Sequence, residues 1–451
     1  MAFSAIYYCE RPAFVADYLG MEMRFANTGA RRLFLFMVVA LAAALVVLAG
    51  RNGLADIAAQ SSQPDELVRA ARLEPENADY WHRLGRYRQL DAEHADLPLA
   101  ISYYQRAVQL DPRTALYWLD LAGAYEMAGE AAQARQALET AQSAYPISAE
   151  VAWRYGNFLL RRNEFSEAFA EIRRAVATDP KLAALAISRC WRASGDMDRV
   201  LKEAVPARAG VYLPALEFFV SEEETDAAMA VWKHLLELKP SLELRRAFPL
   251  VEELIRHDRV GEARTVWREA LHGAGQPAPD DAKDGSLVYD GGFERDFAGG
   301  GFGWRQTDAS GARFDFDTET RRSGARSLRI TFDGAANIEF GHLLQLVPVA
   351  PQTHYTFSAY LRTEALSTNS GIRFRVFDPR HSGEINLVTA ELLKTNPWTR
   401  QEYDVLTGPQ THLLGVQLVR APSQKLDNKL SGTVWVDDVA LSPIRAQPAR
   451  H

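Results

Sequence analysis

Asp315, Asp317 and Glu319 alternate along one short segment of this 451-residue chain. Paired carboxylates are what glycosidic-bond hydrolysis requires, one as acid and one as base or nucleophile. Alternation along a strand puts all three on one face, where such side chains ordinarily stay solvated rather than converge on a substrate. The sequence contains no HExxH, no G-x-S-x-G, no P-loop and no G-x-G-x-x-G opening a helix. The glycine run at 299–303 lacks the Lys and Ser or Thr of a phosphate cradle and reads as a flexible loop beside Trp304. The ten histidines show no ligand-like pairing. Cys9 and Cys190 fall in neither a CxxC nor a CxxH spacing, so neither a zinc nor a redox site is expected. An apolar segment separates them, which argues against a disulfide, and Cys190 reads as a small buried helix residue. No catalytic residue is assigned. An enzyme is the lesser expectation; if the chain is one, it is a glycosidic-bond hydrolase.

Several elements must position whatever these residues do. A chain of 451 residues exceeds one ordinary core, so two or three domains are expected. Its 47% hydrophobic and 24% charged content is that of folded domains. A net charge of −7 excludes a dedicated nucleic-acid binder, which needs clustered Lys and Arg to displace counterions. From Leu33 to Ala49 the chain reads LFLFMVVALAAALVVLA, 17 residues without a charge, the lower end of what spans a bilayer. Gly50 and Arg51 end it. Arg24, Arg31 and Arg32 precede it, while only Arg51 is basic shortly after, followed by Asp56 and Asp65. That bias puts the N-terminus in the cytoplasm and the bulk outside it, periplasmic or at the cell surface, as a single-pass membrane protein. A start at Met21 or Met23 instead of Met1 would make the same stretch a signal peptide. The run is long for that and no clean A-x-A site follows, so the uncleaved anchor is favoured. Residues 1–32 are then a cytoplasmic tail and 33–50 the transmembrane anchor.

Pro112, Pro146 and Pro180 recur at a spacing of 34. Each closes a helical pattern: Trp118, Leu121, Ala122, Tyr125, Ala134, Leu138 and Ala141 before Pro146 are one copy. Trp81, Leu84, Gly85, Ala100, Tyr104 and Ala107 before Pro112 are another, with about three extra residues between its helices. Ala152, Tyr155, Gly156, Leu159, Ala168, Ile172 and Ala175 before Pro180 are a third. These copies resemble the tetratricopeptide repeat. Small residues let the two helices of a hairpin approach, large ones fill the space between, and proline stops the second helix. Weaker copies run through Ala228, Trp232, Leu235 and Pro240 and through Ala263, Trp267 and Ala270, with a half copy at Leu67, Ala70 and Pro75. Residues 182–208 are the least regular and read as a degenerate hairpin. Residues 57–273 are therefore expected to form five to seven hairpins in a right-handed superhelix. The resemblance implies a groove for a protein or peptide partner, lined from the first helices by Asp79, His82, Arg86, Gln89, Glu126, Trp153, Asn157 and Arg161.

The composition changes after residue 273. Residues 274–286 read as a linker by their Gly, Pro and Asp content. Short alternating segments follow at 313–316, 327–332, 355–361, 372–377, 413–419 and 433–441, separated by turn residues, which indicates an all-β sandwich or jelly roll. Leu287-Val-Tyr-Asp-Gly-Gly-Phe-Glu294, the pair Gly303-Trp304, the stretch from Arg322 to Ile330, the stretch from Gln345 to Arg362, and Trp435-Val-Asp-Asp-Val-Ala-Leu441 are similar to the CenC-like carbohydrate-binding modules. The similarity covers most of 287–444, with 445–451 a tail. It implies a non-catalytic module that binds glycan by stacking aromatic rings on sugar faces. Alternation assigns Tyr355, Phe357, Ala359, Leu361, Ile372, Phe374 and Val376 inward. Tyr360, Arg362, Arg373, Arg375 and Gln417 then share one outward face, whose arginines suit an acidic polysaccharide better than cellulose. Trp304 and Trp398, in expected loops, are the candidate stacking platforms. The resemblance further implies a structural Ca²⁺ held by Glu294 and Asp438, with Asp437 a substitute.

The fold class is thus multidomain α + β: a transmembrane helix, an α-solenoid of tetratricopeptide-like hairpins and an all-β jelly-roll sandwich. The leading expectation is a membrane-anchored extracytoplasmic scaffold that recruits a protein and binds a polysaccharide, in surface polysaccharide assembly or export. A protein-only assembly factor with a structural sandwich is the alternative, and the hydrolase a second.

Overall fold

The computed structural model describes residues 28–61, 63–91, 93–279, 285–381, 383–426 and 428–444. Cys9, the alternative starts, Arg24, the first 27 residues of the N-terminal tail, part of the linker and the tail 445–451 lie outside the described residues. The chain divides into two compact units between Pro146 and Ile147.

The first unit is helical: α1 (Thr28–Ala59), α2 (Pro64–Leu73), α3 (Ala78–Leu90), α4 (Leu97–Leu110), α5 (Ala115–Met127) and α6 (Ala131–Ala144). Within α1, Arg31–Ala59 is long and apolar enough to cross a membrane, and Leu33, Phe36, Val39, Leu41 and Val46 are all exposed. The helix does not stop at Gly50 and Arg51, because one glycine costs a helix only about 1 kcal/mol. It continues until Ala55, Ala58 and Ala59 bury themselves against Leu67, Ala70, Ala71, Tyr80 and Leu84. The Tyr80 hydroxyl donates to Asp56 at 2.6 Å and Arg83 donates to the Ala59 carbonyl at 2.6 Å. The apolar stretch and the first helix of the first hairpin are therefore one continuous helix.

The repeat logic holds in detail. Pro75, Pro112 and Pro146 each stand two residues beyond the end of α2, α4 and α6. A Cβ at Gly85 would lie 2.7 Å from the Tyr104 ring, so only glycine lets α3 and α4 approach this closely. The Trp81 indole donates to the Pro75 carbonyl and the Trp118 indole to the Pro112 carbonyl, each at 2.9 Å. The same bond ties each of these first helices to the proline before it.

The second unit opens with α7 (Ala149–Arg161), α8 (Phe165–Thr178), α9 (Ala183–Ser194), α10 (Met197–Glu203), α11 (Ala209–Ser221), α12 (Thr225–Glu237), α13 (Phe248–Arg256) and α14 (Val260–Gly273). These are four further hairpins. The irregular stretch expected at 182–208 is the α9–α10 pair, whose second helix has only 7 residues. Gly156 repeats the close approach, its added Cβ 2.7 Å from Ile172.

Ten strands follow: β1 (Arg305–Gln306), β2 (Ala312–Asp317), β3 (Ser327–Asp333), β4 (Phe340–Pro348), β5 (His354–Leu366), β6 (Arg373–Phe377), β7 (Asn386–Val388), β8 (Lys394–Leu406), β9 (Leu413–Arg420) and β10 (Ser431–Pro443). They form two antiparallel sheets, ordered β1-β4-β9-β6-β7 and β2-β3-β10-β5-β8. The core lies between them, where Phe357 of one sheet meets Phe374 of the other at 5.3 Å. Tyr355, Phe357, Ala359, Leu361, Ile372, Phe374 and Val376 are all buried, as their alternation requires.

The glycine run at 299–303 is not the flexible loop its composition suggested. It packs on the last hairpin: an added Cβ at Gly300 would meet Phe248 at 2.5 Å, and one at Gly301 would meet Trp267 at 2.4 Å. The Gly301 N–H donates to Glu252 at 2.8 Å, and Arg305 donates to the same carboxylate at 2.7 Å. Trp267 meets the edges of Phe302 and Tyr289 at 6.1 and 5.5 Å. The described part of the linker is packed too: Ala278 is buried and Gln276 accepts from the Tyr289 hydroxyl at 2.6 Å. The sandwich is docked on α13 and α14.

Candidate functional site

The outward residues expected to share one face do not. Tyr360 and Arg362 lie on β5, whereas Arg373 and Arg375 lie on β6 and Gln417 on β9, in the opposite sheet. Alternation tells in from out, but not which sheet a strand joins. The two sets therefore stand on opposite outer faces of the sandwich.

On the β1-β4-β9-β6-β7 face, Arg375 stands directly opposite Gln417, Arg373 opposite Val419 and Phe377 opposite Gly415. The Phe377 ring lies over Gly415, where an added Cβ would sit 2.7 Å from it. Arg375 folds over the same ring at 4.3 Å and donates to Asn386 at 2.8 Å. Gln417 donates to the Gly341 carbonyl at 2.8 Å. Half-buried Leu344 and Leu346 continue the surface on β4. The result is a fixed strip of apolar and aromatic surface beside guanidinium and amide groups. Phe377 is the member of this strip that was not named as a binding residue, although the alternation that puts Val376 inward puts its neighbour outward.

On the other face, Arg362 lies over the Trp435 ring at 5.3 Å and Arg322 over the Tyr360 ring at 3.5 Å. Both aromatic faces are thus already covered by cations. Trp398 is half-buried within the edge strand β8, not in a loop, at a register irregularity opposite Arg362 that also holds Pro397. A proline lacks the N–H for a ladder and is accommodated at such an edge. Trp304 is not a stacking platform at all. It is 2% exposed, stacks on Phe293 at 5.2 Å and donates its indole N–H to the Asp290 carbonyl. A tryptophan flanked by Gly303 has the room to turn inward and complete the core.

Asp315 and Asp317 of the alternating acids have structural partners, while Glu319 is exposed. Asp315 pairs with Arg313 at 2.9 Å. Asp317 accepts from the Glu319 and Thr320 N–H groups and from the Trp435 indole at 2.8 Å. Burial pushes its pKa up, but these donors and Arg329 outweigh it and hold the carboxyl below the ordinary value.

Glu294, Asp437 and Asp438 all hold the turn before β3. Glu294 accepts the Ala325 N–H at 3.0 Å, and Asp437 accepts those of Arg322 and Ser323 at 2.8 and 3.2 Å. Asp438 accepts from Ser323 Oγ at 2.6 Å and is bound by the Arg322 guanidinium. Asp437 is fully buried, and burial raises its pKa. Asp438 already has its cation. Glu294 and Asp437 both lie beside Gly292, and the second Asp437 oxygen accepts the Asp438 N–H at 2.8 Å.

Of the groove residues in the first unit, Asp79 and Arg86 are exposed and Glu126 is half-buried. His82 is instead 3% exposed, bonded to Asp120 at 2.8 Å and set against Tyr117 at 4.6 Å. Gln89 accepts from the buried Tyr104 hydroxyl at 2.7 Å, so its amide is engaged in the hairpin. In the second unit Arg161 is exposed and Trp153 half-buried under Arg189, whose guanidinium is 5.2 Å from the ring. Asn157 is buried, donating to the Trp153 carbonyl and accepting from Arg189 at 2.9 Å. His82 and Asn157 are thus packing residues: a polar residue on the inner helix face meets the next helix before it meets a partner.

No protein-family model matches the sequence, and no curated protein matches it. Solved structures similar to it include tetratricopeptide proteins for the helical part and carbohydrate-binding modules for the β part. YrrB, a TPR protein with an unusual peptide-binding site, is 14% identical, covers 47% of this chain and 94% of its own, and has a TM-score of 0.26. A CBM4 structure is 19% identical over 35% of this chain and 99% of its own, with a TM-score of 0.25. The CBM22-1 xylan-binding domain of Xyn10C from Paenibacillus barcinonensis is 18% identical over 37% and 99%, with a TM-score of 0.26.

Proposed function

We propose that this protein is a non-catalytic scaffold, anchored in a membrane by α1 and facing away from the cytoplasm, that recruits a protein through its helices and binds polysaccharide through its sandwich. The strip formed by Phe377, Arg375, Gln417 and Arg373 carries the glycan reading. A sugar ring that displaces the Arg375 guanidinium from Phe377 would stack there, while Arg375, Gln417 and Arg373 bind its hydroxyls. Surface polysaccharide assembly or export is the setting in which an anchor, a recruiting array and a glycan module would act jointly. The test is glycan-array binding by the full chain in detergent. Phe377→Ala and Arg375→Gln should each remove most of the bound signal; equal binding by these variants would end the reading of this face.

Docking of the sandwich on α13 and α14 favours a second reading, in which the sandwich only shapes the array for protein assembly. Absence of any glycan binding, together with capture of a defined protein partner by the full chain, would decide for it. We further assign a structural Ca²⁺ to Glu294 and Asp437, in place of the Glu294 and Asp438 pair implied by resemblance. Bound there, the ion would neutralise the buried carboxylate and brace the turn before β3. Calcium should raise the melting temperature of the chain relative to chelator, and Glu294→Gln should erase the difference.

A further inference from the structure

A concavity opens on the side of the sandwich that carries Tyr360. It is a cleft of about 550 Å³, within the size range of small-ligand sites. One wall is the segment Pro277–Pro279 with Tyr289; the opposite wall is Tyr360 of β5 and Arg400 of β8. The first wall comes from the chain leaving α14, and it is fixed. Ala278 is 3% exposed, and Tyr289 bonds Gln276 while packing against Trp267. The chain leaving the last hairpin therefore supplies part of the lining of the cleft.

The lining is cationic and rich in hydroxyls. Arg295, Arg322 and Arg400 face two carboxylates, Asp290 and Asp438. Both carboxylates are committed: Asp290 accepts the Glu294 and Arg295 N–H groups, each at 3.0 Å, and Asp438 is held by Arg322 and Ser323. Arg295 rests on the Tyr289 ring at 5.8 Å and forms no ion pair among the described residues. Among the described residues Arg400 pairs only with Glu402, its neighbour on the exposed edge strand. The hydroxyls of Tyr360, Ser358 and Ser442 also line the cleft and make no hydrogen bond among the described residues.

We infer that this composite cleft binds an acidic saccharide, with Arg295 and Arg400 receiving carboxylate groups and the free hydroxyls meeting those of the sugar. A guanidinium matches a carboxylate by two parallel hydrogen bonds, a fit that a neutral sugar does not offer. The inference rests on the glycan reading of the sandwich, but it places acid recognition on the opposite face from Arg373 and Arg375.

The experiment is calorimetric titration of the full chain in detergent with an oligogalacturonate and with its carboxyl-reduced counterpart of equal length. The acidic oligomer should bind the wild type more tightly. Arg295→Gln and Arg400→Gln should each weaken it by about tenfold or more, the scale of one charged hydrogen bond, and leave the reduced oligomer unchanged. Arg400 is on an exposed edge, so its replacement does not threaten the fold. Equal affinity for the two oligomers, or wild-type affinity in both arginine variants, overturns the proposal. If Phe377→Ala abolishes binding while the cleft variants retain it, the glycan reading stands and the cleft falls. If neither oligomer nor any array glycan binds the wild type, both fall together.

Discussion

At the scale of single residues, the sequence pattern carries steric information. Gly85 and Gly156 occupy equivalent places, and each faces a large side chain on its partner helix, Tyr104 and Ile172. A methyl group at either site would sit 2.7 Å from that side chain, too close for contact. Gly85→Ala and Gly156→Ala should therefore destabilise the protein by about 1–3 kcal/mol, despite alanine's better helix propensity. Urea denaturation reads the difference; a variant as stable as the wild type would refute the overpacking argument. Arg420 shows the opposite case, a residue no pattern announced. It is 1% exposed, with no carboxylate partner among the described residues: its guanidinium donates to Ser370, Asn337 and Asn428 at 3.0–3.1 Å, and burial lowers its pKa. It ties together the loops after β3, β5 and β9. Arg420→Met should cost about 3 kcal/mol or more, since it orphans several buried acceptors at once. Unchanged unfolding would show those loops are held by something else. Such a residue was illegible because its partners are main-chain carbonyls and the side chains of Asn337 and Thr368 in distant loops, which sequence does not mark. Cys190 was legible: burial pushes its thiol up to about 12, as a small apolar helix residue would have it.

Elements were legible where their period was local. The alternation from Tyr355 to Arg362 and from Ile372 to Phe377 separates buried from exposed side chains correctly. It says nothing about pairing partners, which are set by distant strands, so two consecutive strands ended in different sheets. Asp315, Asp317 and Glu319 looked like a solvated row, yet Asp317 turned out to bind the β10 indole of Trp435 across two strands. That bond has a pH signature. The folded pKa of Asp317 is depressed, so its contribution is fully present above the ordinary aspartate value and is lost as pH falls through the folded one. Asp437 runs the other way: burial raises its pKa, and its contribution is lost as pH rises through that raised value. Asp317→Asn should flatten the acid side of the sandwich's stability profile, followed by near-UV circular dichroism of the β10 tryptophan. An acid transition that is unchanged in this variant would contradict the assignment.

At the scale of the molecule, the least legible feature was docking. Gly299–Gly303 has no side-chain pattern beyond Phe302, and small residues read equally as slack or as close contact. Here they are close contact, because Phe248 and Trp267 occupy the space that side chains would fill. Glu252 joins the loop's Gly301 N–H to Arg305, and Arg380 approaches Asp258 at 3.5 Å. The aromatic centre of this interface should dominate it. Trp267 is that centre, touching Phe248, Tyr289 and Phe302 from both sides of the junction. Trp267→Ala would also injure α14, so Phe302→Ala is the cleaner test, removing only the sandwich's contribution. If docking stabilises the last hairpin, Phe302→Ala should speed amide hydrogen exchange across 248–273, outside its own domain, by an order of magnitude or more for about 1.4 kcal/mol lost. A Glu252→Ala, Arg305→Ala double-mutant cycle should give coupling of about 0.5–3 kcal/mol in the same readout. Exchange confined to the 299–303 loop, with the helices unaffected, would mean that sandwich and hairpin merely touch. The cleft at their junction would then lose the fixed wall on which acid recognition depends.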